Sequence, residues 1–133
     1  MTSRYVLDTN ILTYLLQGKQ TTIDRLAEAA SSDAAIFLCP VVRYEIRRGL
    51  LDKGATTQLK SFERLAADLI WAEFERPMWD EAANSWAARK QRGRSRQDAD
   101  LLIAAYARTL RATVVTNDPD FEGLDVPLEN WAA

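Results

Sequence analysis

The sequence contains no histidine, and Cys39 is the only cysteine among its 133 residues. The absence of imidazole excludes Ser-His-Asp and Cys-His catalysis, histidine phosphotransfer and every zinc site built on histidine. A lone cysteine excludes an intrachain disulfide and a thiolate metal cluster, and we expect Cys39 to be a small buried apolar residue. Any enzymatic chemistry must therefore use carboxylates, hydroxyls, amides, lysine or arginine.

The sequence also lacks an apolar run near the ~20 residues that a membrane span needs, and no secretory signal precedes the first strand-like segment. We therefore expect a cytoplasmic protein with no membrane contact. The formal net charge of -2 means that the field of the whole protein does not attract nucleic acid. A phosphate-binding surface would need a local basic patch or a bound metal ion. The length fits one domain over residues 1–133.

Short apolar segments alternate with longer amphipathic ones along the chain. We predict buried strands at residues 4–7, 35–38, 69–72 and 112–116, with a short edge strand at 126–129. This alternation is typical of an α/β domain with a central, mainly parallel sheet of four to five strands flanked by helices. Folds of this class place their functional sites at the carboxyl ends of the strands.

Local signals mark where several helices and loops begin. Thr21 or Thr22 is expected to cap the second helix, and Pro40 suits the first turn of the third. The basic, glycine-containing segment 89–96 has the composition of a loop. Residues 98–110 form a strongly apolar segment that predicts a buried helix.

Acidic residues gather at the points where strands end and helices begin. If the carboxyl ends of the strands share one edge of the sheet, these side chains converge there. Crowded carboxylates repel each other, and a divalent cation relieves the conflict. Mg²⁺ prefers such hard oxygen ligands, lowers the pKa of a bound water and offsets charge on a phosphodiester. The residues concerned are Asp8, Glu45, Asp98, Asp100, Asp118 and Asp120.

Each acid also has a simpler explanation. Asp8 can cap a helix, Glu45 can form a surface ion pair with a neighbouring arginine, and Asp118 can be a turn residue before proline. For Asp98 we favour the role of helix N-cap. Asp100 differs, because it lies in the first turn of an otherwise buried helix. The combination of acids, rather than any one of them, indicates a function.

The order of these motifs resembles that of PIN domains. Residues 5–12 are similar to the opening strand and first acid, and residues 42–49 to the segment that carries the second acid. Residues 100–107 resemble the helix of the third acid, residues 113–121 the fourth motif, and residues 123–131 the closing segment. The resemblance covers nearly the whole chain. It implies a PIN-like three-layer sandwich and a single PIN domain over the full length.

Chain length adds a similarity to the VapC toxins of type II toxin–antitoxin modules. The resemblance implies a Mg²⁺-dependent endoribonuclease, with Mn²⁺ as an alternative ion, that often cleaves tRNA or rRNA. It also implies a homodimer and a cognate VapB-type antitoxin. By position, Asp8, Glu45 and Asp100 match the three core acids of the family, and Asp118 matches its more variable fourth acid.

Our hypothesis from this match is that Asp8 and Asp100 bind one Mg²⁺ directly. Glu45 would orient the attacking water or accept its proton, and Asp118 would support a second metal ion or an outer-shell water. Three further side chains are candidates for the outer shell of the metal. These are Asp98, Thr116 and Asn10.

Two other groups of residues lead to open predictions. Arg92, Arg94 and Arg96 immediately precede the third acid and would contact RNA phosphates, although a solvated charged loop explains them equally well. Tryptophans are more often core or interface than base-stacking platforms. We expect Trp86 in the core, because it shares a helical face with Met78.

Rival functions fit the sequence less well. Aspartyl-phosphate phosphatases usually carry a second acid two positions after the first, where this chain has Asn10. Receiver domains require paired acids after the first strand and a lysine after a late strand, which the segment around Asp118 does not provide. A catalytically silent PIN-fold binding module remains as the alternative, and the intact set of acids argues against it.

Overall fold

The structure is a computed structural model that describes residues 2–91 and 98–133. Strands and helices alternate along the chain, as the sequence pattern predicts. Their bounds are β1 Arg4–Leu7, α1 Thr9–Leu16, α2 Gln20–Ser31, β2 Ala35–Leu38, α3 Pro40–Asp52, α4 Thr56–Ala67, β3 Ile70–Trp71, α5 Arg76–Gln91, α6 Asp98–Leu110, β4 Thr113–Val115, a 3₁₀ turn Pro119–Phe121 and β5 Leu128–Glu129.

The strands form one five-stranded sheet with the order β3-β2-β1-β4-β5. Every strand pair in it is parallel, and at its centre Val6 of β1 lies opposite Phe37 on one side and Val114 on the other. The prediction of an α/β sandwich with a parallel sheet of four to five strands is confirmed. Because all strands run the same way, their carboxyl ends meet at one edge of the sheet.

The core lies against the central strand and against α6. Val6 and Leu7 are fully buried, as are Ile103 and Ala104 of α6. Burial on both faces is typical of parallel sheets, which are covered by the helices of their crossovers. The buried ring of Tyr106 keeps its hydroxyl satisfied, since it donates to the carbonyl oxygen of Ala72 at 2.8 Å. The residues at the carboxyl edge of the sheet are therefore attached to a fully buried core.

Two local predictions are wrong, and tertiary contacts explain both. Helix α2 begins at Gln20 after an uncapped Lys19, while Thr22 lies inside the helix and is completely buried. The segment predicted as a loop from residue 89 is helical up to residue 91, and its remainder lies outside the described residues. Arg89 donates to the carbonyl oxygen of Gly123 at 3.1 Å, which holds the end of α5 against the chain after β4.

The tryptophans separate into one core residue and three surface residues. Trp131 is buried against Tyr5, with ring centroids 5.1 Å apart. Trp71, Trp79 and Trp86 are exposed, so the prediction that Trp86 belongs to the core is wrong. Lys90 is one helical turn beyond Trp86, and its ammonium lies 4.9 Å from the centre of that ring. Helical spacing identified a face of α5 without showing whether another element covers it.

Within the two described segments, none of the helices combines the length and apolarity that crossing a bilayer requires.

Replacing the fully buried Leu12 by alanine should lower the free energy of unfolding by about 2–5 kcal/mol, because it removes apolar contacts and leaves a cavity. Leu51→Ala is the matched control, since this leucine is 58% exposed and should cost less than about 1 kcal/mol. Urea unfolding followed by circular dichroism measures both. Equal losses for the two variants would contradict the position of the core.

Candidate functional site

Asp8 is fixed at the point where the central strand ends. Its backbone N–H donates to the carbonyl oxygen of Val115 at 2.9 Å, which continues the sheet by one residue. Its side chain caps α1, because Oδ1 accepts from the N–H of Thr9 at 2.7 Å. The side chain is nevertheless part of a pocket, so the capping role and a role in a site coexist in this residue. Asp8 is only 6% exposed, which makes it an unusually buried carboxylate.

Thr116 follows β4 and joins the elements around Asp8. Its hydroxyl donates to Oδ2 of Asp8 at 2.8 Å, in a contact that is buried. The hydroxyl oxygen of Thr116 also accepts hydrogen bonds, from Nδ2 of Asn10 at 3.3 Å and from the backbone N–H of Asp118 at 3.0 Å. Two residues predicted for an outer shell, Asn10 and Thr116, therefore hold the carboxylate and the turn after β4 in a fixed relation.

Glu45 of α3 faces the same pocket. Its Oε1 accepts from the Thr9 hydroxyl at 3.0 Å, and its Oε2 lies 3.9 Å from the exposed Arg48. The other arginines of this helix do not pair with it. Arg43 and Arg47 contact Glu63 of α4 instead, at 3.3 Å and 2.6 Å. Glu45 therefore has both the surface ion pair that its neighbours suggest, with Arg48, and a hydrogen bond to Thr9 in the pocket.

The remaining acids come from the start of α6 and the turn after β4. Carboxylate oxygens of Asp100, Asp118 and Asp120 lie within 4.8 Å of one another. Asp118 also caps the 3₁₀ turn, accepting from the N–H of Asp120 at 2.8 Å, so its turn role is real as well. The described part of α6 begins at Asp98, which lies in its first turn, and because residue 97 is outside the described residues the N-cap role of Asp98 stays a prediction. Its side chain lines a separate hollow with Trp79.

These groups surround a cavity of about 420 Å³, which we call the acidic pocket. All four acids assigned from the sequence contribute to it. Its lining also includes side chains of α1 that the sequence analysis did not single out, together with Asn10, which it placed in the outer shell. Thr13 and Tyr14 follow Asn10 by three and four residues, so they lie on the same side of α1. This helical spacing could have predicted from the sequence that both residues line the pocket with Asn10. The pocket is lined by Asp8, Thr9, Asn10, Thr13, Tyr14, Glu45, Asp100 and Asp118.

Burial and the repulsion between neighbouring carboxylates raise the pKa of two acids in the pocket, Asp8 and Asp100. Desolvation raises the pKa of Asp100 to about 6, and the charges of Asp8, Asp118, Glu45 and Asp120 add to the increase. Burial also raises the pKa of Asp8, although hydrogen bonds from Thr116 and Thr9 oppose the change.

In the part of the chain that the structure describes, positive side chains relieve little of this repulsion. Within residues 2–91 and 98–133, no lysine or arginine lies at ion-pair distance from Asp8, Asp100 or Asp118. Among the described residues, three of the four acids of the pocket therefore have no cationic partner, and the fourth, Glu45, has only the long contact with Arg48.

The residues present fit a hard divalent cation. Every charged group of the acidic pocket is an oxygen donor, and the carboxylate of Asp8 is buried and oriented by two hydrogen bonds. Mg²⁺ and Mn²⁺ bind such oxygen sets, whereas soft thiolate sites suit other metals. Cys39, the one thiol, is fully buried, and burial raises its pKa to about 12. The expectation that Cys39 behaves as an apolar core residue is confirmed.

Comparison with known proteins agrees with this geometry. The family model described as PIN domain matches residues 5–127. Ribonuclease VapC5 of Mycobacterium tuberculosis (strain ATCC 25618 / H37Rv) is 35% identical over 125 residues, covering 90% of this chain and 87% of the relative.

Two solved structures extend the likeness to the fold. The structure of VapBC2 from Rickettsia felis, bound to a DNA fragment from their promoter, superposes with a TM-score of 0.89 at 25% identity, covering 96% of this chain and 98% of that one. VapBC-5 from Mycobacterium tuberculosis gives a TM-score of 0.71 at 25% identity, with coverages of 96% and 97%. Sequence, fold and the placement of the acids all lead to the same conclusion, that the chain belongs to the PIN-domain family and to its VapC group.

Proposed function

We propose that this protein is a Mg²⁺-dependent endoribonuclease, the toxin of a type II toxin–antitoxin module. The observation that carries the proposal is the acidic pocket, where four carboxylates from separate elements face one cavity and burial raises the pKa of two of them. The carboxylates of such a site repel one another, and a bound divalent cation offsets this repulsion. The VapC relative named as a ribonuclease supplies the reaction class.

Asp8 and Asp100 are the proposed direct ligands. Asp100 also belongs to a group of three carboxylates, with Asp118 and Asp120, whose oxygens lie within 4.8 Å of one another. When bound, the ion would lower the pKa of a water ligand and offset charge on the phosphodiester. Thr116 keeps Oδ2 of Asp8 oriented, as outer-shell partners of metal ligands commonly do.

Glu45 is the proposed proton acceptor for the attacking water. The Thr9 hydroxyl holds one of its oxygens, and the long contact to Arg48 leaves the other accessible. Because a general base must lie within hydrogen-bond reach of the proton that it removes, its place on the wall of the acidic pocket suits the role.

Partners follow from the same group of relatives. Several similar structures are VapBC complexes, which supports a VapB-type antitoxin for this chain. We further propose a cytoplasmic homodimer, a single PIN domain over residues 1–133, and tRNA or rRNA as substrate. Arg92, Arg94 and Arg96 lie outside the described residues, and we retain them as proposed phosphate contacts because they directly precede α6 in the sequence.

The second candidate is a PIN-fold module that binds without cleaving. It predicts that the acids serve only the fold, as Asp8 does when it caps α1. The convergence of Glu45 and Asp100 on the same pocket argues against it, because neither of them caps a helix within the described residues.

Asp8→Asn and Asp100→Asn should each reduce RNA cleavage by about a thousandfold or more, because each removes a charged ligand from the metal site. Asp68→Asn, at an exposed helix end, is the matched control and should cleave like the wild type. The assay incubates purified protein with total RNA, with and without Mg²⁺. The newly formed ends should carry 5′-phosphates, since water attacks phosphorus and the 3′-oxygen leaves, which gives a 3′-hydroxyl on the other product.

Full activity in a folded Asp8→Asn protein would refute the ligand assignment, and a 2′,3′-cyclic phosphate would refute the chemistry. No cleavage of any RNA by the wild type in Mg²⁺ would favour the binding module.

Asp100 should also make stability depend on pH in protein freed of metal with a chelator. Its pKa is raised to about 6, so its favourable contribution is complete below its ordinary value near 3.8 and is lost as the pH rises through 6. Asp100→Asn cannot ionise, and its melting temperature relative to wild type should therefore increase between pH 4 and pH 7. Differential scanning calorimetry measures this difference.

Addition of Mg²⁺ at pH 7 should raise the melting temperature of the wild type more than that of Asp100→Asn, because only the wild type has the full ligand set. If the difference in melting temperature between wild type and Asp100→Asn without Mg²⁺ does not change with pH, the pKa of Asp100 is not raised in the folded protein.

A further inference from the structure

Tyr14 brings a neutral hydroxyl to the wall of the acidic pocket. It lies on α1 one turn after Asn10, and its oxygen accepts a hydrogen bond from Nδ2 of Asn117 at 2.7 Å. Asn117 follows β4, and its backbone N–H approaches Oδ1 of Asn10 at 3.5 Å. The phenol is thus held by a segment more than one hundred residues away in the chain. A tyrosine with no role beyond covering the surface would not require this hydrogen bond.

The other neutral side chains of this wall use their donors within the protein. Thr9 donates to Glu45 at 3.0 Å, Thr13 to the carbonyl oxygen of Thr9 at 2.9 Å, and Asn10 to Thr116 at 3.3 Å. Tyr14 accepts, and among the residues that the structure describes its hydroxyl donates to none. A phenol has one O–H donor, so this hydrogen is available to a ligand in the pocket.

The charge around Tyr14 identifies the ligand class. The ammonium of Lys19 lies 4.7 Å from the centre of the Tyr14 ring, so a cation accompanies this phenol although Lys19 does not itself line the acidic pocket. A free donor beside a cation suits an anionic oxygen, and tyrosine and lysine both commonly contact nucleic-acid phosphates. Tyr14 lines the same pocket as Asp8 and Asp100, so a phosphate bound to its hydroxyl would lie beside the proposed metal ligands.

We propose that Tyr14 is a substrate-binding residue whose hydroxyl donates to a non-bridging phosphate oxygen of the RNA. Lys19 is the accompanying cation, and Asn117 is a positioning residue that orients the phenol. The inference rests on the proposed ribonuclease function and names how the same pocket holds its substrate.

The first test compares Tyr14→Phe with Tyr44→Phe in steady-state cleavage of a short RNA that the wild type cuts. Phenylalanine keeps the ring and its contact with Lys19, so the change removes only the hydroxyl, which includes the oxygen that accepts from Asn117. We expect KM to rise about tenfold for Tyr14→Phe, as for a lost hydrogen bond to a charged group, with kcat changed less than about threefold. Tyr44, 62% exposed and outside the acidic pocket, should give unchanged constants.

Salt dependence separates the roles of the two side chains. Lys19→Met should reduce the slope of log affinity against log salt by about 0.7, the value for one phosphate contact on a single strand. Tyr14→Phe should leave that slope unchanged, since a phenol carries no charge. A purely structural role for Tyr14 would not produce this pattern of lower affinity at constant slope.

The decisive arm uses RNA in which single phosphates are replaced in turn by methylphosphonates. At one position the methylphosphonate should raise the KM of the wild type about tenfold. At that position it should raise the KM of Tyr14→Phe little, because the methylphosphonate and the Tyr14→Phe substitution remove the same hydrogen bond. Wild-type cleavage with an unaffected Tyr14→Phe, or additive losses at every position, would overturn the inference and leave the ribonuclease intact. A wild type that cleaves no RNA would overturn both.

Discussion

Like-charge repulsion at the carboxyl edge of the sheet is the constraint on which the rest of this molecule depends. The structure places carboxylates from four parts of the chain around one cavity, and it buries Asp8 almost completely. Burial disfavours the charged form and so does each neighbouring acid, which is why the pKa of Asp100 rises to about 6. A chain selected only for stability would not gather these groups, because each raised pKa costs folding free energy at neutral pH.

The fold sustains this arrangement through its central strand. Strand β1 pairs with β2 and β4 in parallel register and is buried on both faces, so the residue that follows it has little freedom to move. The hydroxyl of Thr116 then holds Asp8 by donating one hydrogen bond to its carboxylate. The oxygen of that hydroxyl accepts hydrogen bonds from Asn10 and from the turn after β4. A rigid sheet with hydrogen-bonded side chains at its edge preorganises the acids before any ligand arrives.

The sequence predicted most of this site and little of its support. Strand alternation and the strand-end rule located Asp8, Glu45 and Asp100 correctly at one pocket, because each depends on local pattern and sheet direction. Contacts such as that between Tyr14 and Asn117 join residues 103 positions apart, and no local periodicity encodes them. The error for Trp86 has the same origin, since helical spacing defines a face and packing decides whether that face is covered.

Crystals grown with Mn²⁺ and measured at an X-ray energy where manganese scatters anomalously would locate a metal ion at the edge of the sheet. We expect one anomalous peak in the acidic pocket, about 2.0–2.3 Å from carboxylate oxygens of both Asp8 and Asp100, as for oxygen ligands bound directly to such an ion. Crystals with ordered density for these side chains and no peak between them, or with the ion bound elsewhere, would contradict this expectation.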